Sequence, residues 1–183
     1  MQDGLYYKFL DLPKLPDELE QLCLNTTKQK ENLICQFYFP VEANIPYYGK
    51  LVYKKQCKFE LYTCPPIVKE WLLDNKVIKS IEDDVSIQRS YDGNALLPHV
   101  DNGKTSYNPS SEIERKILDR SIARNYLLTD GNPKTCFYKE MRIDSIIESV
   151  VIPKSTWHDL KVDTLHGVED IESERISLTI IVE

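Results

Sequence analysis

A mainly β fold with helices at its N-terminal end, a jelly roll, is what this sequence predicts, and three observations lead there. From Val85 onward the chain breaks into short runs of strand-forming residues separated by turn residues. Two stretches before that point carry apolar residues at helical spacing, enough to cover one face of a sheet. No Gly/Ser linker, internal repeat or low-complexity tract divides the 183 residues, a length that suits one well-packed domain.

Taken in order, residues 5–10 read as a first strand. Pro16-Asp17-Glu18 reads as a helix start, with Leu15, Leu19 and Leu22 at helical spacing. Residues 50–62 contain the β-formers Val52, Tyr53, Phe59 and Leu61. A second helix follows Pro65-Pro66, with Ile67, Val68, Trp71 and Leu72 as its apolar stripe. Val85, Ile87, Arg89 and Tyr91 then alternate with Ser86, Gln88 and Ser90, before Asp92-Gly93-Asn94 turns the chain. Further strand runs occupy residues 122–128, 135–138, 143–152 and 176–182. Residues 102–119 carry no strand signal and read as a long functional loop, with room for a short helix over 112–119. Residues 1–84 are therefore expected to be a helical and mixed support region, and residues 85–183 the jelly-roll core with the site.

Composition narrows the function. A net charge of −6 opposes a nucleic-acid partner, because phosphate binding calls for a basic face. No apolar run approaches the roughly 20 residues that span a bilayer, and residues 1–12 lack the pattern of a signal peptide. Cys23, Cys35, Cys57, Cys64 and Cys136 are odd in number and widely spaced, which fits free thiols in a reducing compartment. A cytoplasmic protein is the expectation.

The chain has three histidines, and two of them stand in informative contexts. In His99-Val100-Asp101, residues i and i+2 of an extended strand point to one face, so both side chains can reach one ion. A third ligand must come from elsewhere, and either His166 or His158 could supply it. Two imidazoles and a carboxylate on one face of a metal leave positions open for a cosubstrate and O2, as in non-haem Fe(II) oxygenases. Nine positions after His166 stands Arg175-Ile176-Ser177, opening an apolar strand on which Arg175 and Ser177 share one face. An arginine turned into a barrel is costly unless it meets an anion, and a dicarboxylate meets that need.

With these pieces in sequence order, the chain resembles the 2-oxoglutarate/Fe(II)-dependent dioxygenase superfamily, specifically its prolyl- and aspartyl-hydroxylase-like branches. The matching segments are Leu97-Pro98-His99-Val100-Asp101-Asn102, Asn125-Tyr126-Leu127-Leu128, His166-Gly167-Val168 and Arg175-Ile176-Ser177-Leu178. The resemblance covers residues 85–183 and implies a double-stranded β-helix, the jelly roll expected above. It implies His99, Asp101 and His166 as ligands of Fe(II), which leaves His158 near the site or packed beside Trp157. It further implies Arg175 and Ser177 on the distal carboxylate of 2-oxoglutarate, Tyr126 on that same carboxylate, and Arg124 and Gln88 as cosubstrate contacts. The implied activity is hydroxylation of an unactivated C–H bond in a peptidyl residue or small metabolite. O2 is the oxidant, succinate and CO2 are released, and ascorbate serves as reductant. The competing readings are a cupin-like metal-binding jelly roll that does not use 2-oxoglutarate, and a non-catalytic binding jelly roll.

Overall fold

Strands dominate because the chain repeatedly places β-branched and aromatic residues two apart, a spacing that buries one face of a strand. The computed structural model describes residues 2–39, 57–91, 96–100, 120–131, 134–169, 171 and 173–182. Asp101, and the loop expected over residues 102–119, lie outside the described residues. Within them the strands are β1 (Tyr7–Phe9), β2 (Leu33–Phe39), β3 (Cys57–Thr63), β4 (Val85–Ser90), β5 (Leu96–His99), β6 (Ile122–Leu127), β7 (Lys134–Tyr138), β8 (Ile146–Val151), β9 (Trp157–Lys161), β10 (His166–Glu169) and β11 (Arg175–Ile181). Helix α1 (Asp17–Thr26) precedes β2, and α2 (Pro66–Asp74) follows β3.

The strands form two antiparallel sheets. The larger has the order β1-β9-β6-β11-β4-β3-β2 and the smaller β5-β10-β7-β8. Sequence-distant strands are neighbours in both sheets, with β11 lying between β4 and β6 and β10 between β5 and β7, and the result is a jelly roll. Residues 1–84 do more than support it, because they supply β1, β2 and β3 to the larger sheet.

Both helices pack on the outer face of that sheet. Leu15, Leu19 and Cys23 of the α1 region and Val68 and Leu72 of α2 join one core with Tyr62, Ile87, Tyr126, Trp157, Ile176 and Leu178. The stripe on α1 is therefore Leu15, Leu19, Cys23, each four residues apart, and Leu22 is 36% exposed at its edge. On α2 the inward pair is Val68 and Leu72, while Ile67 points outward. Pro66 opens α2 at a position where its missing N–H costs no helical bond, and Asp17, Glu18 and Glu20 complement the dipole at the start of α1.

The two sheets face each other across a second, smaller core. Ala123 on β6 and Leu160 on β9 meet Phe137 on β7, with Tyr6 and Tyr7 closing the end. Tyr6 stacks on Phe137 at 5.1 Å between ring centroids. This contact fixes which side of each strand looks inward. On β6 these are Ala123, Asn125 and Leu127; on β9, His158 and Leu160; on β11, Arg175, Ser177 and Thr179. Among the described residues, no helix is long and apolar enough to cross a membrane.

Candidate active site

The interior between the sheets receives polar side chains from both. From the smaller sheet, His99 on β5 and His166 on β10 are cross-strand partners, with ring centroids 4.4 Å apart. His166 is also the partner of the inward Phe137, which sets both histidines on the inner face. The Nδ1 of His166 lies 2.9 Å from the Thr164 carbonyl. A carbonyl only accepts, so Nδ1 carries the proton and Nε2 presents its lone pair. A carbonyl bonded to the far ring nitrogen orients metal-binding histidines in this way.

From the larger sheet comes Arg175, 9% exposed at the start of β11. Its guanidinium makes no hydrogen bond or ion pair with the described residues, and its Nε is buried without a partner. Burial pulls its pKa down to about 10, which still leaves it charged at neutral pH. Glu174, a neighbour that could have neutralised it, is instead bound to Arg89 on the outer face, with Arg89 Nε 2.9 Å from Glu174 Oε1. Leaving a buried cation unpaired is costly, so this interior is shaped for an anion. Ser177, two residues on, is buried beside it and pairs across the sheet with Gln88 on β4 and Leu127 on β6.

The structure corrects two further expectations. Tyr126 and Arg124 occupy the opposite face of β6 from Asn125 and Leu127, and so cannot share the interior with Arg175. Tyr126 faces the helix layer, where its hydroxyl donates to Glu20 Oε1 and accepts from the Leu15 N–H at 3.1 Å. Ser155 Oγ donates to the same Glu20 oxygen at 2.7 Å. Burial, together with the Glu20 carboxylate, pushes the phenol pKa well up. Arg124 is held in a two-pronged pair by Asp159, its cross-strand partner on β9, at 2.9 and 3.0 Å. Both side chains serve packing and sheet pairing. The reason is strand parity, since a shift of one residue moves a side chain to the other face. At the position facing Ser177, β6 carries Leu127.

The interior also holds Thr179, Asn125 and Thr135, to which the sequence reading gave no role, and His158, which that reading left near the site or beside Trp157. Thr179 donates to Asn125 Oδ1 at 2.6 Å and accepts from Arg120 Nη1 at 3.1 Å. Thr135 on β7 is buried and pairs with Val168, sharing the inward side with Phe137. His158 is fully buried on β9, opposite Asn125, and looks inward, away from Trp157. The signal for Thr179 was present, because Arg175, Ser177 and Thr179 alternate along one strand face. Asn125 had none without the register, and the choice between the two places for His158 also needed it.

Among the described residues no three His, Cys, Asp or Glu side chains converge as metal ligands. Asp101, two residues beyond His99, is not one of them. A cleft of about 720 Å³ beside α1, lined in part by Lys14, Glu20, Asp130 and Lys154, lies on the outer side, and its lysines pair locally with Asp17 and Asp130. The interior is thus the site that the chemistry favours.

No protein-family model matches the sequence, and no curated protein matches it. Solved structures do. A Pseudomonas putida prolyl-4-hydroxylase matches with a TM-score of 0.53 at 11% identity, over 97% of this chain and 93% of that one. The structure of OsALKBH1 matches with a TM-score of 0.51 at 11% identity, over 100% of this chain and 99% of that one. A 2OG-Fe(II) oxygenase family oxidoreductase from Burkholderia pseudomallei gives 0.49 at 12% identity, over 89% and 77%. The chain shares its fold with the prolyl-4-hydroxylase and OsALKBH1 structures along nearly its whole length.

Proposed function

We propose that the protein is an Fe(II)- and 2-oxoglutarate-dependent oxygenase that hydroxylates an unactivated C–H bond of a small metabolite or peptidyl residue. The observation that carries this reading is the buried guanidinium of Arg175, whose Nε has no partner among the described residues, inside a jelly roll whose opposite sheet presents two adjacent histidines. A jelly roll that only bound metal would have no use for that cation.

The residues suit the iron they would hold. His99 and His166 are the imidazole ligands, with Asp101 as the carboxylate, and the tautomer of His166 leaves Nε2 as the donor atom. Arg175 receives the distal carboxylate of 2-oxoglutarate, and Ser177 adds a hydroxyl donor beside it. Gln88, the cross-strand partner of Ser177, is a further contact. When bound, iron with 2-oxoglutarate and O2 supplies the oxidising power, yielding succinate and CO2, and ascorbate restores iron that has over-oxidised. The chain's share is to hold the ligands, orient the cosubstrate and exclude water from a largely buried interior. The net charge of −6 favours a small-molecule or peptidyl substrate over a nucleic acid, and a reducing, cytoplasmic setting suits both ferrous iron and the thiols.

Succinate release tests the reading. Protein supplied with Fe(II), ascorbate and 2-oxoglutarate should form succinate slowly without substrate, and Mn(II)-loaded protein should bind 2-oxoglutarate saturably. A complete absence of saturable binding would overturn the assignment.

A further inference from the structure

Among the described residues, three buried side-chain polar atoms lack a hydrogen-bond partner: Thr135 Oγ1, His158 Nε2 and Arg175 Nε. All three belong to residues on the inward faces of the two sheets. Folded proteins rarely leave such atoms unmatched, and three on the inward faces, with His158 close enough to Arg175 to feel its charge, point to a polar ligand between the sheets. Arg175 already has a role in the proposed function, whereas His158 does not.

We propose that His158 is a second contact for the carboxylate held by Arg175, and that cosubstrate binding is coupled to uptake of one proton on His158 Nε2. This inference rests on the proposed function and deepens it. The ring's orientation settles its chemistry. Nδ1 lies 3.1 Å from the Thr156 carbonyl, which can only accept, so Nδ1 is permanently the N–H. In the neutral ring Nε2 is then an acceptor, and among the described residues it has nothing to accept from. 2-Oxoglutarate at neutral pH offers acceptors alone. Contact between the two therefore requires a proton on Nε2, drawn from solvent, which makes the ring an imidazolium with two donors: one to Thr156 and one to the carboxylate.

The surroundings explain why the proton is absent until then. Burial, the backbone bond notwithstanding, and the nearby charge of Arg175 hold the His158 pKa down at about 3. Among the described residues, the charged or titratable groups facing this interior are Arg175 on β11, His99 on β5, His166 on β10, Arg120, which reaches Thr179, and the phenols of Tyr6 and Tyr7 at its end. Glu148 on β8 has the inward parity, but its carboxylate is engaged by the Leu5 and Tyr6 N–H groups at the barrel end. The inward partners of His158 on β1 and β6 are Phe9 and Asn125, which are uncharged. No acid stands beside the ring among the described residues, so an arriving carboxylate supplies the missing negative charge and also offsets Arg175.

Titration calorimetry of 2-oxoglutarate into the Mn(II)-loaded protein tests this near pH 6.5, in two buffers of different ionisation enthalpy. The apparent enthalpies should differ by close to one proton per ligand. Affinity should fall by up to about tenfold per pH unit as pH rises past the liganded pKa. In His158→Gln the buffer difference should vanish and the pH dependence should flatten, with Mn(II) binding retained. If that variant fails to fold, the 15N shift of His158 Nε2 in Zn(II)-loaded wild-type protein should move from the acceptor to the protonated range on adding 2-oxoglutarate. Saturable binding with no buffer dependence, as an ordered water at Nε2 would produce, overturns this inference and spares the proposed function. An unchanged buffer dependence in His158→Gln, or an unmoved 15N signal, overturns it equally. No saturable binding in the wild type sinks both.

Discussion

Arg175 and Tyr126 show how far a single residue's role depends on which face of a strand it occupies. Both are buried, but among the described residues Arg175 Nε lacks a partner and the Tyr126 hydroxyl has two. Removing one member of a buried charge pair typically costs about 3–5 kcal/mol, so Arg175→Leu should weaken 2-oxoglutarate binding roughly a hundredfold or more. Mn(II) affinity, measured in the same titrations, should barely move. Ser177→Ala should cost only about 1 kcal/mol of cosubstrate affinity. Tyr126→Phe should do the reverse. It strands the Leu15 N–H and removes a donor from Glu20, destabilising the fold by about 1–3 kcal/mol in a urea titration. Cosubstrate affinity should stay within about twofold. His158 adds a pH signature to the ligand-free protein. Its folded pKa lies at about 3, below the ordinary 6.5, so the neutral ring is favoured on folding. The stability this contributes is complete above about pH 6.5, and falls away by about 1.4 kcal/mol per unit as pH drops from there toward 3. Unfolding at a series of pH values should show that slope in the wild type and lose it in His158→Gln.

At the scale of elements, β11 connects the two functions of the larger sheet. Its outward residues Ile176, Leu178 and Ile180 enter the helix-facing core, while Arg175, Ser177 and Thr179 line the interior. It also hydrogen-bonds to β4 on one side and β6 on the other. Ending the chain before Ile176 removes three buried apolar side chains, each worth about 1.5–3 kcal/mol, and leaves two strand edges open. Such a truncation should be insoluble, and a soluble product with native circular dichroism would count against a central β11. Helix α1 is tied to the same sheet by Glu20, which links Tyr126 and Ser155 under the helix. The nearby thiols Cys23 and Cys64 are buried, which raises their pKa, in Cys64 to about 12. They are packing residues, in keeping with the absence of disulfides at Cys23, Cys35, Cys64 and Cys136.

For the molecule as a whole, ligand and fold are thermodynamically linked, because the site is assembled from both sheets. The ligands proposed here bind only the folded state. At a cosubstrate concentration about a hundred times its dissociation constant, the metal-loaded protein should gain about 2.7 kcal/mol, a rise in melting temperature of roughly 5–10 °C. His99→Ala should abolish the metal-dependent part of that rise and leave the circular dichroism unchanged. Thermal melts with Mn(II), 2-oxoglutarate, both and neither separate these contributions. An equal rise in His99→Ala would remove His99 from the metal site.

The sequence by itself determined the class of fold and part of the interior, the residues Arg175 and Ser177 among it. Periods of two and of 3.6 residues are local properties, so α1, α2, β4, β6 and β11 were legible from the apolar pattern. The alternation of Arg175, Ser177 and the apolar residues between them was legible for the same reason. Strands β2, β9 and β10 were not, because Trp157–Lys161 and His166–Glu169 mix polar and apolar residues whose alternation depends on partners far along the chain. Which face of β6 looks inward was likewise undetermined, since Asn125 and Tyr126 are both buried and only pairing with β9 and β11 separates them. Only the tertiary structure could decide that His99 meets His166 across a strand pair, that Tyr126 belongs to the helix layer, and that His158 Nε2 has no partner inside the barrel among the described residues. These are contacts between residues tens of positions apart, fixed by register, and no local pattern encodes register.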